Sequence, residues 1–304
     1  MYAKILLALL TASISFSTYA KNTSNSYTPP SGINVLSDIS YGKDTDQTLD
    51  IYVPSGAKGA PVIFMIHGGA WRGGDKTNSA EFENKVAYWV AKGFVFISSN
   101  YRTLPKIEPV EQVKDISTAL LFAQHNASTW GGSADRFILM GHSAGAHLVA
   151  LASSQYNALT KKGIKPWLGT VSMDTSAYDI VKRMTSSNPS EFYRAIFGET
   201  YLDWQKASPF HSMTNKLPPF LAICSRRSEF ACYQAKHFIK KAKSFGTYGE
   251  VLAVDLSHGE INSELGKESC YTSSVNDFFK KLSPSIKSML AVHDTQMQKN
   301  CSSS

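Results

Sequence analysis

Three runs of this chain do not alternate. Residues 62–66 (Val-Ile-Phe-Met-Ile), 94–97 (Phe-Val-Phe-Ile) and 137–140 (Phe-Ile-Leu-Met) are continuous stretches of β-branched, aromatic and large aliphatic side chains. A strand with one face in water places a polar residue at every second position; a strand without them must be covered on both faces, the condition of a parallel sheet between two layers of helices. The intervening segments supply those helices. Residues 81–92 read as a helix closed by Gly93, residues 109–124 set Val110, Val113, Ile116, Leu120 and Ala123 on one face, and a small-residue helix is expected from about 144 to 154. Further strands are expected at 48–53, which does alternate, and at 168–173, 220–224 and 250–254, with a helix at 233–245 between the last two. Strand and helix in succession predict an α/β architecture, a mostly parallel, doubly wound sheet with helices on both faces.

With 304 residues, 43% of them hydrophobic, and no Pro/Gly/Ser-rich linker in the middle, the chain is expected to form a single domain over residues 36–286. The ends read differently. Residues 1–20 carry Lys4, an apolar run over residues 5–10, and small residues in Thr18-Tyr19-Ala20. That run is too short to span a bilayer, so the segment reads as a signal peptide cleaved after Ala20; the mature chain is expected to be secreted or periplasmic, without stable membrane insertion. Residues 21–35 read as a flexible polar lead and residues 287–304 as a polar tail. The chain has 31 Lys+Arg against 24 Asp+Glu, a net +7 to which Lys4 contributes one. The cations occur singly or in short pairs, with no basic stripe interleaved with aromatics, which argues against nucleic-acid binding. The 4 cysteines, Cys224, Cys232, Cys270 and Cys301, all lie in the C-terminal third. An even count in an exported chain favours disulfides, and their spacing matches no zinc site; neither metal nor cofactor is expected.

In such a sheet, reactive groups gather beyond the carboxyl ends of the strands. The run Phe137-Ile138-Leu139-Met140-Gly141-His142-Ser143-Ala144-Gly145-Ala146-His147-Leu148 is an apolar strand, a Gly-x-Ser-x-Gly turn and a helix start. A turn of this kind lifts the serine Oγ above the sheet edge in a strained conformation, and its glycines leave room for the neighbouring strand and helix. Ser143 is therefore the candidate nucleophile. An attacked carbonyl also needs backbone donors for its developing oxyanion, and His67-Gly68-Gly69-Ala70-Trp71 directly follows the run at 62–66.

This pair of motifs, with Asn100-Tyr101-Arg102, Gly-Gly-Ser-Ala-Asp-Arg-Phe at 131–137 and Ser257-His258, resembles the α/β-hydrolases of the hormone-sensitive-lipase-like and acetyl- and feruloyl-esterase-like (BD-FAE-like) group. The resemblance spans about residues 36–282. It implies a serine esterase acting on a small-molecule ester, with an oxyanion hole from the N–H groups of Gly69, Gly68 or Ala70 together with Ala144. His67 then stabilises its loop, and Trp71 walls an acyl or aryl pocket. Triad order in this fold is serine, acid, histidine, so His258, after the last expected strand, is the implied base. The family usually places an aspartate after the strand at 220–224, but here the loop reads Cys224-Ser225-Arg226-Arg227-Ser228-Glu229. Glu229 is its only carboxylate and the expected acid, with Asp255 as the alternative. Asp115 and Asp179 match structural positions, and Tyr101-Arg102 are expected to pack or pair beneath the site. Cys232 and Cys270 would tie the acid and histidine loops together. The His-Gly-Gly-x-Trp pattern is also similar to kynurenine formamidases, which leaves aryl-formamide hydrolysis as a second expectation and a catalytically silent binding module as a third.

Overall fold

The computed structural model describes residues 27–186 and 190–291. The uninterrupted apolar runs become strands whose side chains divide between two cores. In β3 (Ala60–Ile66) every residue is buried. Phe64 and Ile66 enter one core with Val113, Ile116, Leu120 and Leu148, while Ile63 and Met65 enter the other with Trp89, Val275 and Phe278. This two-residue period sends apolar side chains to both faces, and it explains why the run carries no polar alternation.

The other strands are β1 (Ile33–Ser40), β2 (Thr48–Pro54), β4 (Val95–Ser99), β5 (Gly132–His142), β6 (Gly169–Met173), β7 (Phe220–Ser225) and β8 (Gly249–Val254). They form a sheet of order β1-β2-β4-β3-β5-β6-β7-β8, antiparallel at β1–β2 and β2–β4 and parallel from β4 onward. The helices are α1 (Ser79–Lys85), α2 (Pro109–Asn126), α3 (Ala144–Ser154), α4 (Tyr156–Lys161), α5 (Ile180–Met184), α6 (Glu191–Phe197), α7 (Tyr201–Ala207), α8 (Pro209–Ser212), α9 (Glu229–Ser244), α10 (His258–Ser263), α11 (Cys270–Leu282) and α12 (Pro284–Ala291). The strand order positions the chemistry: β5 has β3 on one side and β6 on the other, so the loops leaving those three strands converge at one sheet edge.

Two departures from the sequence expectation have local causes. The helix expected over 81–92 is α1 followed by a π-helical turn, Val86–Val90, before Gly93 at φ 93°. The wider turn directs Val86, Tyr88, Trp89 and Val90 all into the core, which a regular helical stripe would not do. At the C-terminal end, residues 284–291 form α12 instead of a polar tail, because Ile286 and Leu290, four apart on one helical face, are fully buried. At the other end β1 already begins at Ile33, and Tyr27 packs edge-on against Phe82 at 4.9 Å. The expected signal peptide, its cleavage point after Ala20, and Cys301 lie outside the described residues. Among the described residues no helix is long and apolar enough to cross a membrane.

Candidate active site

Ser143 stands between β5 and α3 with φ 55° and ψ −114°, a backbone conformation that costs energy for any residue with a side chain. The flanking glycines make this turn possible. A Cβ on Gly141 would meet the carbonyl oxygen of Gly145, and a Cβ on Gly145 would meet that of Ile66 in β3. The Ser143 N–H donates to Met173 O at 3.0 Å, which ties the elbow to the end of β6.

The next residue in β6's path is Asp174, itself at φ 54° and 4% exposed. Its N–H donates to Ile223 O at 2.8 Å, its Oδ1 accepts the Ser225 N–H at 2.9 Å, and its Oδ2 lies 2.7 Å from His258 Nδ1. His258 opens α10, whose start is locked by a capping box between Ser257 and Glu260. Ser225 Oγ holds the same loop by donating to Leu256 O at 2.6 Å.

The carboxylate on His258 is therefore Asp174, and the expected acid, Glu229, is not there. Glu229 is exposed in the first turn of α9, beyond the Ser228 N-cap. Asp255 does not face His258 either: it pairs with Arg227 at 2.9 Å and its side chain is 73% exposed. The reason is local: the loop after β7 closes into α9 with Ser228 as its N-cap, which leaves Glu229 exposed to solvent, while Asp174 is fixed against β7 by Ile223 and Ser225. Asp174 stands directly after the strand at 168–173, at the carboxyl edge where reactive groups collect, and that position was the available signal.

The oxyanion loop is held by its own polar groups. Buried His67 bonds through Nδ1 to Gly68 O at 2.6 Å and stacks on Tyr101, whose hydroxyl donates to His67 O at 3.1 Å. Arg102 clamps Asp115 through Nε and Nη2 at 2.8 and 2.6 Å, in keeping with the structural roles expected of both. The Gly68 N–H donates to Glu81 Oε1 at 3.0 Å, so of the four expected oxyanion donors Gly68 is already engaged. Gly69 (φ 119°), Ala70 (φ 55°) and Ala144, at the start of α3, keep unengaged N–H groups. Burial pushes the Glu81 carboxyl above the usual range, against the lowering influence of Lys85, and its Oε2 has no hydrogen-bond partner. Fully buried Lys85 donates to Asn262 O and Oδ1 at 2.8 and 2.9 Å, and burial pulls its ammonium down to about 8.

Trp71 is 3% exposed and faces protein instead of an open pocket. Its indole N–H donates to His147 Nδ1 at 3.0 Å, while His147 Nε2 bonds Ala207 O at 2.7 Å. These two bonds define one neutral tautomer, and burial depresses the imidazole to about 4. Aromatic rings of α6 surround the indole: Tyr193 at 6.0 Å and Phe197 at 4.8 Å. Burial, helped by the neighbouring His258, lowers His142 to about 3; its Nε2 bonds His258 O at 2.9 Å. Gly69, Ala70, Ser143 and His258 share one open cleft of about 380 Å³.

Cys232, expected to pair with Cys270, is bonded to Cys224 instead, eight residues earlier. The end of β7 and the first turns of α9 bring those Cα atoms to 5.1 Å, within ordinary disulfide range. Cys270 is also disulfide-bonded.

Sheet order, strained elbow and converging loops define an α/β-hydrolase fold. Within it the chain belongs to the BD-FAE family, whose model matches residues 49–240. Among similar sequences, Esterase LipC of Mycobacterium tuberculosis is 29% identical over 68% of this chain and 54% of its own length. Isoprenylcysteine alpha-carbonyl methylesterase ICME of Arabidopsis thaliana is 27% identical over 76% of this chain and 57% of its own length. The chain thus spans about half the length of the curated relatives it matches. Esterase B of Lactobacillus rhamnosis superposes with TM-score 0.67 at 19% identity, covering 89% of this chain and 90% of that one. A truncated carbohydrate esterase from gut microbiota gives 0.69 at 19% identity, over 82% and 96%. These structural likenesses concern the fold alone.

Proposed function

We propose that the protein hydrolyses carboxylic esters through an acyl-enzyme intermediate, with Ser143, His258 and Asp174 as its triad. The observation that carries this reading is the 2.7 Å contact between His258 Nδ1 and Asp174 Oδ2 in the cleft that holds Ser143. Asp174 keeps the imidazole proton on Nδ1 and leaves the Nε2 lone pair to accept the serine proton. Ser143 Oγ then attacks the ester carbonyl, and the negative oxygen is met by N–H groups of Gly69, Ala70 and Ala144. His258 returns the proton to the leaving alkoxide, the alcohol departs, and water, deprotonated by the same imidazole, releases the acid and regenerates Ser143. Family membership and esterase relatives support the ester over the formamide, for which the His-Gly-Gly-Ala-Trp loop is the only motif.

Export belongs to the same proposal: residues 1–20 are removed and the mature protein works in an oxidising compartment, in keeping with the Cys224–Cys232 bond. A fluorophosphonate probe followed by peptide mapping tests the nucleophile, and a panel of para-nitrophenyl esters, feruloyl esters and N-formylkynurenine tests the substrate class. Labelling at Ser143 with ester turnover is the expected result. Labelling at a different serine, or turnover of the formamide alone, would overturn the reading. N-terminal sequencing of secreted material should begin at Lys21.

A further inference from the structure

Arg183, in the last turn of α5, has its guanidinium 4.1 Å from the ring centre of Tyr193 and 4.8 Å from that of Phe230. Its Nε is buried without a hydrogen-bond partner, and no carboxylate among the described residues pairs with it. Three other arginines have one, Arg102 with Asp115, Arg194 with Glu199 and Arg227 with Asp255, and Arg72, Arg136 and Arg226 donate to backbone carbonyls instead. A guanidinium is permanently charged, so a partly desolvated one with a vacant donor edge is a ready anion site. The two aromatic rings stabilise the cation without occupying its N–H groups.

Its neighbours pack behind the loops that frame the cleft. Tyr193 packs against Trp71, the residue after Ala70 in the oxyanion loop, at 6.0 Å between ring centres. The Tyr193 hydroxyl is pushed up by burial, with Arg183 drawing it down and Asp174 pushing it further up. Phe230 comes from the first turn of α9, next to the loop whose Ser225 N–H holds Asp174.

We infer that Arg183 is a specificity residue that receives a carboxylate carried by the ester substrate, so that the preferred substrates are anionic esters. The inference rests on the esterase reading and deepens it. The carboxylate can belong to the acyl group or to the alcohol, and two substrate pairs separate these sources. The first is para-nitrophenyl hemiglutarate against para-nitrophenyl valerate; the second is para-carboxyphenyl acetate against phenyl acetate.

In Arg183→Met, which keeps an apolar side chain between the two rings, kcat/KM for the anionic member of one pair should fall by about tenfold or more, the scale of a charge-assisted contact. Its neutral partner should stay within about twofold, and the pair that responds names the side carrying the charge. Equal losses on neutral and anionic esters would reduce Arg183 to packing and overturn the inference, as would no change in either pair. Wild-type enzyme that turns over the neutral esters but discriminates against both anionic ones overturns it while leaving the esterase reading intact. Wild-type enzyme inactive on all four esters removes that reading and the inference with it.

Discussion

The elbow and the acid corner sit side by side and are built in different ways. Around Ser143 the constraint is local: Gly141, Ser143 and Gly145 lie within five consecutive residues, and steric exclusion at the two glycines is enough to explain the turn. Around Asp174 the constraint is distributed. Its backbone N–H is held by Ile223 of β7, one carboxylate oxygen by Ser225, and the other by His258 beyond β8. A local device can be recognised as a motif; a distributed one depends on which strands are neighbours.

Substitutions test this contrast. The largest effect is expected at the elbow: Ser143→Ala should abolish probe labelling and lower kcat by about 10⁴ or more, while the melting temperature holds, because alanine keeps the Cβ and with it the same backbone strain at φ 55°. The acid corner comes next. Asp174→Asn should cost on the order of 10⁴ in kcat by loss of the correct imidazole tautomer, by analogy with the serine-protease triad, whereas Glu229→Gln and Asp255→Asn should stay near wild type. The reverse ranking would return the role to the loop after β7 or to the segment before His258.

A smaller loss tests the support of the oxyanion loop. Glu81→Ala removes the acceptor of the Gly68 N–H and should lower kcat by about tenfold to a hundredfold with little change in KM, since that loop acts on the transition state. Glu81→Gln, which keeps an oxygen acceptor, should recover most of it. Equal losses in the two variants would show that the carboxyl itself, and not the hydrogen bond, matters.

Two stability measurements separate the corners further. Replacing Cys224 and Cys232 by serine should cost roughly 2.5 kcal/mol by the chain-entropy argument for so short a loop, yet leave kcat nearly unchanged, because Asp174 is held by Ile223 and Ser225. A parallel collapse of kcat would mean that the disulfide, not the backbone, positions the acid. Acid titration concerns the elbow side. His142 is held at about 3 against its ordinary 6.5, and His147 at about 4. Between those limits and pH 6.5 the unfolded chain binds protons that the native state refuses, so stability must fall as pH falls through that window. His142→Gln should make the decline in melting temperature from pH 6.5 to 4 shallower; an unchanged slope would remove His142 as a contributor.

Much of the fold was legible because it follows from side-chain period. The runs at 62–66 and 137–140 demanded cover on both faces and received it, and the alternating 48–53 segment became β2. α12 was missed because two apolar residues, Ile286 and Leu290, in a polar stretch are a weak signal until a core is present to take them. Trp71 was misread as a pocket wall for a related reason. Nothing in His-Gly-Gly-Ala-Trp states that the indole will find His147, 76 residues later.

Period and glycine sterics act over a few neighbouring residues, so the strands and the elbow turn at Ser143 were readable from the chain alone, and His258 was placed by its position after the last expected strand and by the family resemblance. The contact of Asp174 with the imidazole, the pairing of Cys224 with Cys232 and the engagement of the Gly68 N–H by Glu81 emerge only in the folded chain. Hydrogen bonds and ion pairs form within about 3 Å, and which groups come that close is set by how strands, loops and helices pack against one another, which side-chain period does not state.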